Sequence, residues 1–169
     1  RSDSTLRGHF PCEVDTLADA IGAPDATRVV MPFFLQGGRL TIDDVHYVAD
    51  GDQLIPAGET PFAKDATFGF QRSNLRDWVA EKSGRPFSQM ELHSISVNDL
   101  RTVAPESLAR RITELPPRST WLVNAAATSD AHTFALAARL AEHDGAELLY
   151  RTAAGFVQAF AGIPDRRLL

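Results

Sequence analysis

Apolar residues fall at helical spacing over residues 13–21, with Val14, Leu17, Ala18 and Ile21 recurring before Gly22 and Pro24 stop the segment. Residues 28–34 form a short apolar run between turn formers, as in a buried strand. Two β-rich runs follow, 40–42 and 45–48, separated by Asp43-Asp44, which predicts a hairpin with a two-residue turn. Residues 61–70 have no period. Ser73 is placed to cap a helix with Leu75, Trp78 and Val79 on one face, closed at Gly84.

From there strand and helix patterns alternate. Residues 92–97 predict a strand, and 105–115 a helix with Leu108, Ile112 and Leu115 in register, ended by Pro116-Pro117. Residues 120–124 predict a strand, and Ser129 caps a helix carrying Phe134, Ala138, Leu140 and Ala141. Residues 147–151 predict a last strand, with Thr152 capping a final helix that turns Phe156, Val157 and Phe160 inward. The expected fold is α/β with three layers: a mostly parallel sheet, helices on both faces, and an antiparallel hairpin excursion. Ligands of such sheets sit beyond the carboxyl ends of the strands, which directs attention to 32–39, 124–129 and 151–152.

Composition narrows the class. At 169 residues the chain has the size of one domain, and 44% hydrophobic with 23% charged residues suits a globular protein. A net charge of -5 argues against a nucleic-acid partner. One cysteine, Cys12, forbids an intrachain disulfide and reads as a buried or partly buried inert thiol. No apolar run approaches membrane-spanning length and the first residues carry no secretory signal, so the expectation is a cytoplasmic protein with no membrane partner. The chain does not begin with methionine, as expected of a processed fragment or of a piece lacking an upstream segment.

Candidate chemistry concentrates at the start. Ser2, Asp3, Ser4, Thr5 and Arg7 put hydroxyls, a carboxylate and a guanidinium just before the first helix, a combination suited to an anionic polyol and equally to a polar turn with a helix cap. Gln36-Gly37-Gly38-Arg39 follows a buried strand and permits either close approach of backbone to a ligand or a glycine turn into the hairpin. The five histidines, at 9, 46, 93, 132 and 143, lack metal-ligand spacing and read as surface or packing residues. Asp43-Asp44 and Asp50-Gly51-Asp52 read as solvated turn carboxylates, so no metal site is expected. The chain holds no phosphate-binding G-x-x-x-x-G-K-[ST] loop, no G-x-G-x-x-G fingerprint and no G-x-S-x-G elbow.

Four stretches taken together resemble the N-terminal domain of the four-carbon acid sugar kinases. Arg1-Ser2-Asp3-Ser4-Thr5-Leu6-Arg7-Gly8 is similar to that family's K-x-D-S-T-x-R-G loop, with arginine in place of lysine at the first position. Gly38-Arg39-Leu40-Thr41 and His46-Tyr47-Val48 resemble its G-R-T-T segment and following hairpin. The third stretch runs from Thr60 through Phe70 to Arg85, and the fourth is Tyr150-Arg151-Thr152-Ala153-Ala154-Gly155-Phe156-Val157.

The resemblance implies a substrate-binding domain of an ATP-dependent kinase acting on threonate, erythronate or 3-oxo-tetronate. It implies Arg1, Ser2, Asp3, Ser4, Arg7, Gly38 and Arg39 as substrate-binding residues, Arg7 less strongly than the rest, its alternative being a salt bridge inside the fold. No catalytic residue is assigned. Two parts of the family lie outside these 169 residues: an upstream segment with a D-D-x-T-G motif, and a C-terminal nucleotide-binding domain that would be this domain's partner. ATP and Mg2+ are accordingly expected with the parent and not with this segment, which alone would be inactive. Asn124 stands at a strand end where the resemblance implies an acid. The alternative is a non-catalytic module that senses a sugar acid or related anion.

Overall fold

A computed structural model describes residues 2–164. The chain runs α1 (Cys12–Ala20), β1 (Thr27–Met31), β2 (Arg39–Ile42), β3 (Val45–Asp50), β4 (Gln53–Pro56), α2 (Leu75–Ser83), β5 (Leu92–Ile95), α3 (Val97–Thr102), α4 (Pro105–Thr113), β6 (Thr120–Val123), α5 (Thr128–His143), β7 (Leu148–Thr152) and α6 (Ala154–Phe160). Strands β5-β6-β1-β7 form one wholly parallel sheet, and β2-β3-β4 a separate antiparallel one. The α/β expectation holds, and the hairpin excursion is a three-stranded sheet of its own. Its third strand, β4, was not legible because Gln53 and Leu54 are both exposed and give no alternation.

Side chains alternate across the parallel sheet as its pleat requires. Val29, Met31, Trp121 and Val123 face a layer built from α3, α4, α5 and α6, where Leu108, Ile112, Phe134 and Phe156 are fully buried. Val30, Leu122 and Leu149 face the other way, onto α1 and α2 with Val14, Leu75 and Trp78. Each such side chain contributes about 1.5–3 kcal/mol on leaving water. The alanines of α5, Ala131, Ala135, Ala138 and Ala141 among them, let α4 and α6 approach it closely.

Several element ends differ from expectation for local reasons. The strand at 28–34 stops at Met31 because Pro32 has no N–H to offer the ladder. The run at 92–97 stops at Ile95, where Ser96 and Asp99 form a reciprocal capping box and start α3. Asn74, not Ser73, caps α2, accepting from the N–H of Arg76 and Asp77; the Ser73 hydroxyl accepts from Gly58 N–H instead. At α5 the first-turn Asp130 caps, not Ser129: its carboxylate accepts from Ala126 and Ala127 N–H at 2.9 and 3.0 Å. Thr152 ends β7 and does not cap α6; Val157 is exposed, as are Leu17 and Ile21 on α1. Cys12 is exposed too, because it lies off the Val14/Ala18 face.

The two sheets are welded at the carboxyl end of the parallel one. Thr41 and Ala125 exchange two backbone hydrogen bonds, at 2.9 and 3.1 Å. Asp43 and Asp44, both at positive φ, make the hairpin turn. Asp44 is not a solvated carboxylate: it accepts from Ser94 Oγ (2.6 Å), Arg76 Nε (3.0 Å) and Asn124 Nδ2 (2.8 Å), while its N–H donates to Asn124 Oδ1 (2.7 Å). Asn124, 1% exposed, completes its amide by donating to the Ile95 carbonyl.

Candidate functional site

Residues 2–10 cross the carboxyl end of the parallel sheet as a loop pinned at four points. Ser2 N–H donates to the Thr152 carbonyl at the end of β7 (2.8 Å). The Ser4 carbonyl accepts from His46 Nε2 (2.8 Å). Leu6, at φ +67, is fully buried and anchors the loop in the core beneath. The Arg7 carbonyl accepts from Arg151 Nη2 (3.0 Å).

Within the loop, Asp3 is the organiser. Its carboxylate accepts from the N–H and the hydroxyl of Thr5, from Arg7 N–H, and from Arg7 Nε and Nη2, the last at 2.9 Å. Burial alone would raise the Asp3 pKa; the bonds from Arg7 and Thr5 outweigh it and hold the group below the usual carboxylate range. Arg7 also reaches Asp65 at 3.6 Å. It is thus paired inside the fold; four of the five donors to Asp3 converge on Oδ1, so room for a further hydroxyl donor is left only at Oδ2, which takes Arg7 Nη2 alone.

The second half of the site comes from the hairpin. Gly38, at φ +73, turns the chain into β2, and a Cβ there would lie 3.0 Å from that of Ala49. Arg39 then lays its guanidinium over the Phe62 ring at 5.2 Å, the ring that Arg7 also approaches, at 5.5 Å. Arg39 donates through Nη1 to the Gly37 carbonyl, but makes no ion pair among the described residues, and its buried Nε is without a hydrogen-bond partner there. A cation stacked on an aromatic face without a counter-ion can receive an anion.

His46 couples the halves. It is fully buried, so it packs, as one of the two sequence readings had it; its Nε2 carries the proton donated to Ser4, and Nδ1 accepts from the Thr41 hydroxyl (2.9 Å). Burial pulls its pKa down to about 4, the Ser4 bond opposing and the nearby Arg39 and Arg151 charges adding to the fall.

Of the sequence-predicted site residues, Ser2, Asp3, Ser4 and Arg7 share the loop, and Arg39 meets Arg7 on Phe62. Arg1 lies outside the described residues. Arg151 and Thr152, expected to face a ligand as strand-end residues, are 2% and 1% exposed; the strand's pleat turns Arg151 down under the loop. Sequence reasoning did not single out Phe62, Asp65 or His46, although the distinctive stretch around residues 60–70 was the available signal. Among the described residues no group of His, Cys, Asp and Glu is arranged to hold a metal, and no helix is long and apolar enough to cross a membrane. A separate cleft of about 240 Å³, lined in part by Arg28, Met90 and Arg118, lies at the opposite end of the sheet and shares with the loop only Phe10.

Comparison with known proteins agrees with this fold. D-erythronate kinase of Heliobacterium modesticaldum is 33% identical over 109 residues, which is 64% of this chain and 22% of that protein. A domain of unknown function from Bordetella bronchiseptica, crystallised with bound citrate as a domain-swapped dimer, superposes with a TM-score of 0.69 at 27% identity, over 94% of this chain and 34% of that one. A Haemophilus influenzae protein shares the fold at a TM-score of 0.67 and 18% identity, over 95% of this chain and 36% of its own. The chain therefore spans about a fifth of the curated relative and about a third of the solved structures. The model of the family described as "Sugar-binding N-terminal domain" matches residues 1–160, and the chain belongs to that family.

Proposed function

We propose that this domain holds the sugar acid in an ATP-dependent kinase that phosphorylates a four-carbon sugar acid: threonate, erythronate or 3-oxo-tetronate. The observation that carries the reading is the pairing of two complementary groups at one place. The ordered Asp3 carboxylate suits the hydroxyls of a polyol, and the Arg39 guanidinium, without an ion pair among the described residues, suits its carboxylate. The D-erythronate kinase relative supports this substrate class, and the citrate bound by the Bordetella relative supports an anionic, hydroxylated ligand.

No phosphate-cradling glycine–lysine loop is present in the chain and no metal-ligand cluster among the described residues. In this proposal ATP and Mg2+ therefore belong to a C-terminal nucleotide-binding domain of the same parent. The contribution of this chain is to bind the acid and orient its terminal hydroxyl, with catalysis arising from positioning and charge stabilisation. The enzyme is expected in the cytoplasm.

The test is a coupled assay of the full-length gene product with ATP against a panel of four-carbon sugar acids, alongside calorimetry of binding. Turnover of at least one acid, with KM raised in Arg39→Ala, is the expected result. Binding without turnover of any acid would favour a sugar-acid sensor. Neither binding nor turnover would sink both.

A further inference from the structure

We infer that Arg151 is a positioning residue for the opening loop: buried beneath Arg7 and Gly8, it sets where the Asp3 carboxylate stands toward a ligand. The identity of that ligand rests on the sugar-acid reading above; the loop geometry does not.

Arg151 lies on β7 with its guanidinium over Trp78 at 4.6 Å and Phe10 at 5.9 Å. Nε donates to Glu13 Oε1 at 2.7 Å and Nη2 to the Arg7 carbonyl at 3.0 Å, while buried Nη1 has no partner among the described residues. A methionine or leucine of similar bulk would fill this space without taking a charge out of water. It would not supply the bond to the Arg7 carbonyl.

The neighbouring glycine carries the same message. Gly8 is at φ +136, and a Cβ there would stand 3.1 Å from Glu13 Oε2 and 3.2 Å from Arg151 Nη2. The Arg7–Gly8 backbone therefore rests directly on the Arg151–Glu13 pair, and a side chain at position 8 would both strain the backbone at its positive φ and crowd that pair. With its carbonyl held from below, Arg7 directs its guanidinium to Asp3, Asp65 and the Phe62 ring. The line of contact runs from Arg151 to the Arg7 carbonyl, through the Arg7 side chain, to Asp3. Arg151 itself, 2% exposed, touches no ligand.

The experiment compares wild type, Arg151→Lys and Arg151→Met in the full-length protein. Lysine keeps a cation beside Glu13 but not the fork that serves Glu13 and Arg7 together. Amide hydrogen exchange of Thr5 and Arg7, whose N–H groups donate to Asp3, should quicken about tenfold in both variants while β1 and β6 keep wild-type protection. Affinity for D-erythronate should fall about tenfold in Arg151→Lys, and not at all further when the same change is made in an Asp3→Ala background. Wild-type loop exchange in a folded Arg151→Lys, or losses that add in the double variant, would overturn the proposal. If both arginine variants fail to fold, Gly8→Ala displaces the loop with the pair intact; faster loop exchange is expected there and unchanged exchange overturns. Should wild type not bind D-erythronate, the ligand reading fails while the exchange comparison still decides the role of Arg151.

Discussion

His46 on the antiparallel sheet donates its Nε2 proton to the carbonyl of Ser4 at 2.8 Å, so a strand of one sheet holds the loop that crosses the end of the other. Either charge state of the ring can make that bond, but only a neutral ring leaves Nδ1 free to accept from Thr41. A protonated ring would lose that acceptor in a fully buried place already facing Arg39 and Arg151, with Asp3 the acidic group nearby.

The domain should therefore lose stability as pH falls through the range between an unfolded histidine and the folded one. His46 titrates near 6.5 when unfolded and at about 4 when folded, so the unfolded chain takes up the proton first. The loss begins below about pH 6.5 and reaches about 3 kcal/mol near pH 4, where it levels off. Asp3, Asp99 and Asp130, whose folded pKa values are depressed below 3.8, add their own losses only at lower pH. Urea melts of wild type and His46→Gln between pH 7 and 4.5 check this: the variant starts less stable and shows a shallower slope.

Asn124 and Asp44 are fitted to each other as amide and carboxylate. Asn124→Asp would set a second carboxylate against Asp44 Oδ1 and the Ile95 carbonyl at a site 1% exposed. The expected cost is about 3 kcal/mol at neutral pH, read from a thermal melt. The exchanged pair Asp44→Asn with Asn124→Asp should recover part of it, because one donor and one carboxylate again face each other.

Asp130 does two jobs with one carboxylate. It caps α5 through Ala126 and Ala127 and binds Arg101 through Nε and Nη2 at 2.9 and 3.1 Å. Asp130→Ala should cost about 2–3 kcal/mol in a denaturant melt. Arg101→Ala should cost less, since the arginine is half exposed and the cap survives its loss.

Phe62 is the shared platform for Arg7 and Arg39. Phe62→Leu keeps apolar bulk and removes the aromatic face, which is worth about 0.5–2 kcal/mol to a stacked cation. Affinity for a four-carbon sugar acid, measured by calorimetry, should fall about threefold to tenfold with little change in melting temperature.

The layered fold was legible because β1 and β6 are short continuous apolar runs, the helices repeat at helical spacing, and the Pro and Gly between them mark the turns. The caps were less legible. Ser73 and Asn74, or Ser129 and Asp130, are neighbours of nearly equal capping chemistry, and the backbone dihedrals decide which one serves. The site divides along the same line. The opening loop could be read because its polar residues are contiguous. Arg39 meeting Arg7 on Phe62, and Arg151 stacking under Gly8 on Trp78, join residues 23 to 143 positions apart, and no local period records such meetings.

The bond from Ser2 to the Thr152 carbonyl joins residues 150 positions apart and ties the loop to β7. Closing so long a loop must wait for the intervening contacts. On the ribosome, the loop emerges well before the strand that holds it: its hook on β7 does not exist until about 150 further residues have been synthesised. A chain stopped before β7 would carry every residue of the loop and have neither Thr152 nor Arg151 to hold it, so an ordered loop also reports that β7 has been made.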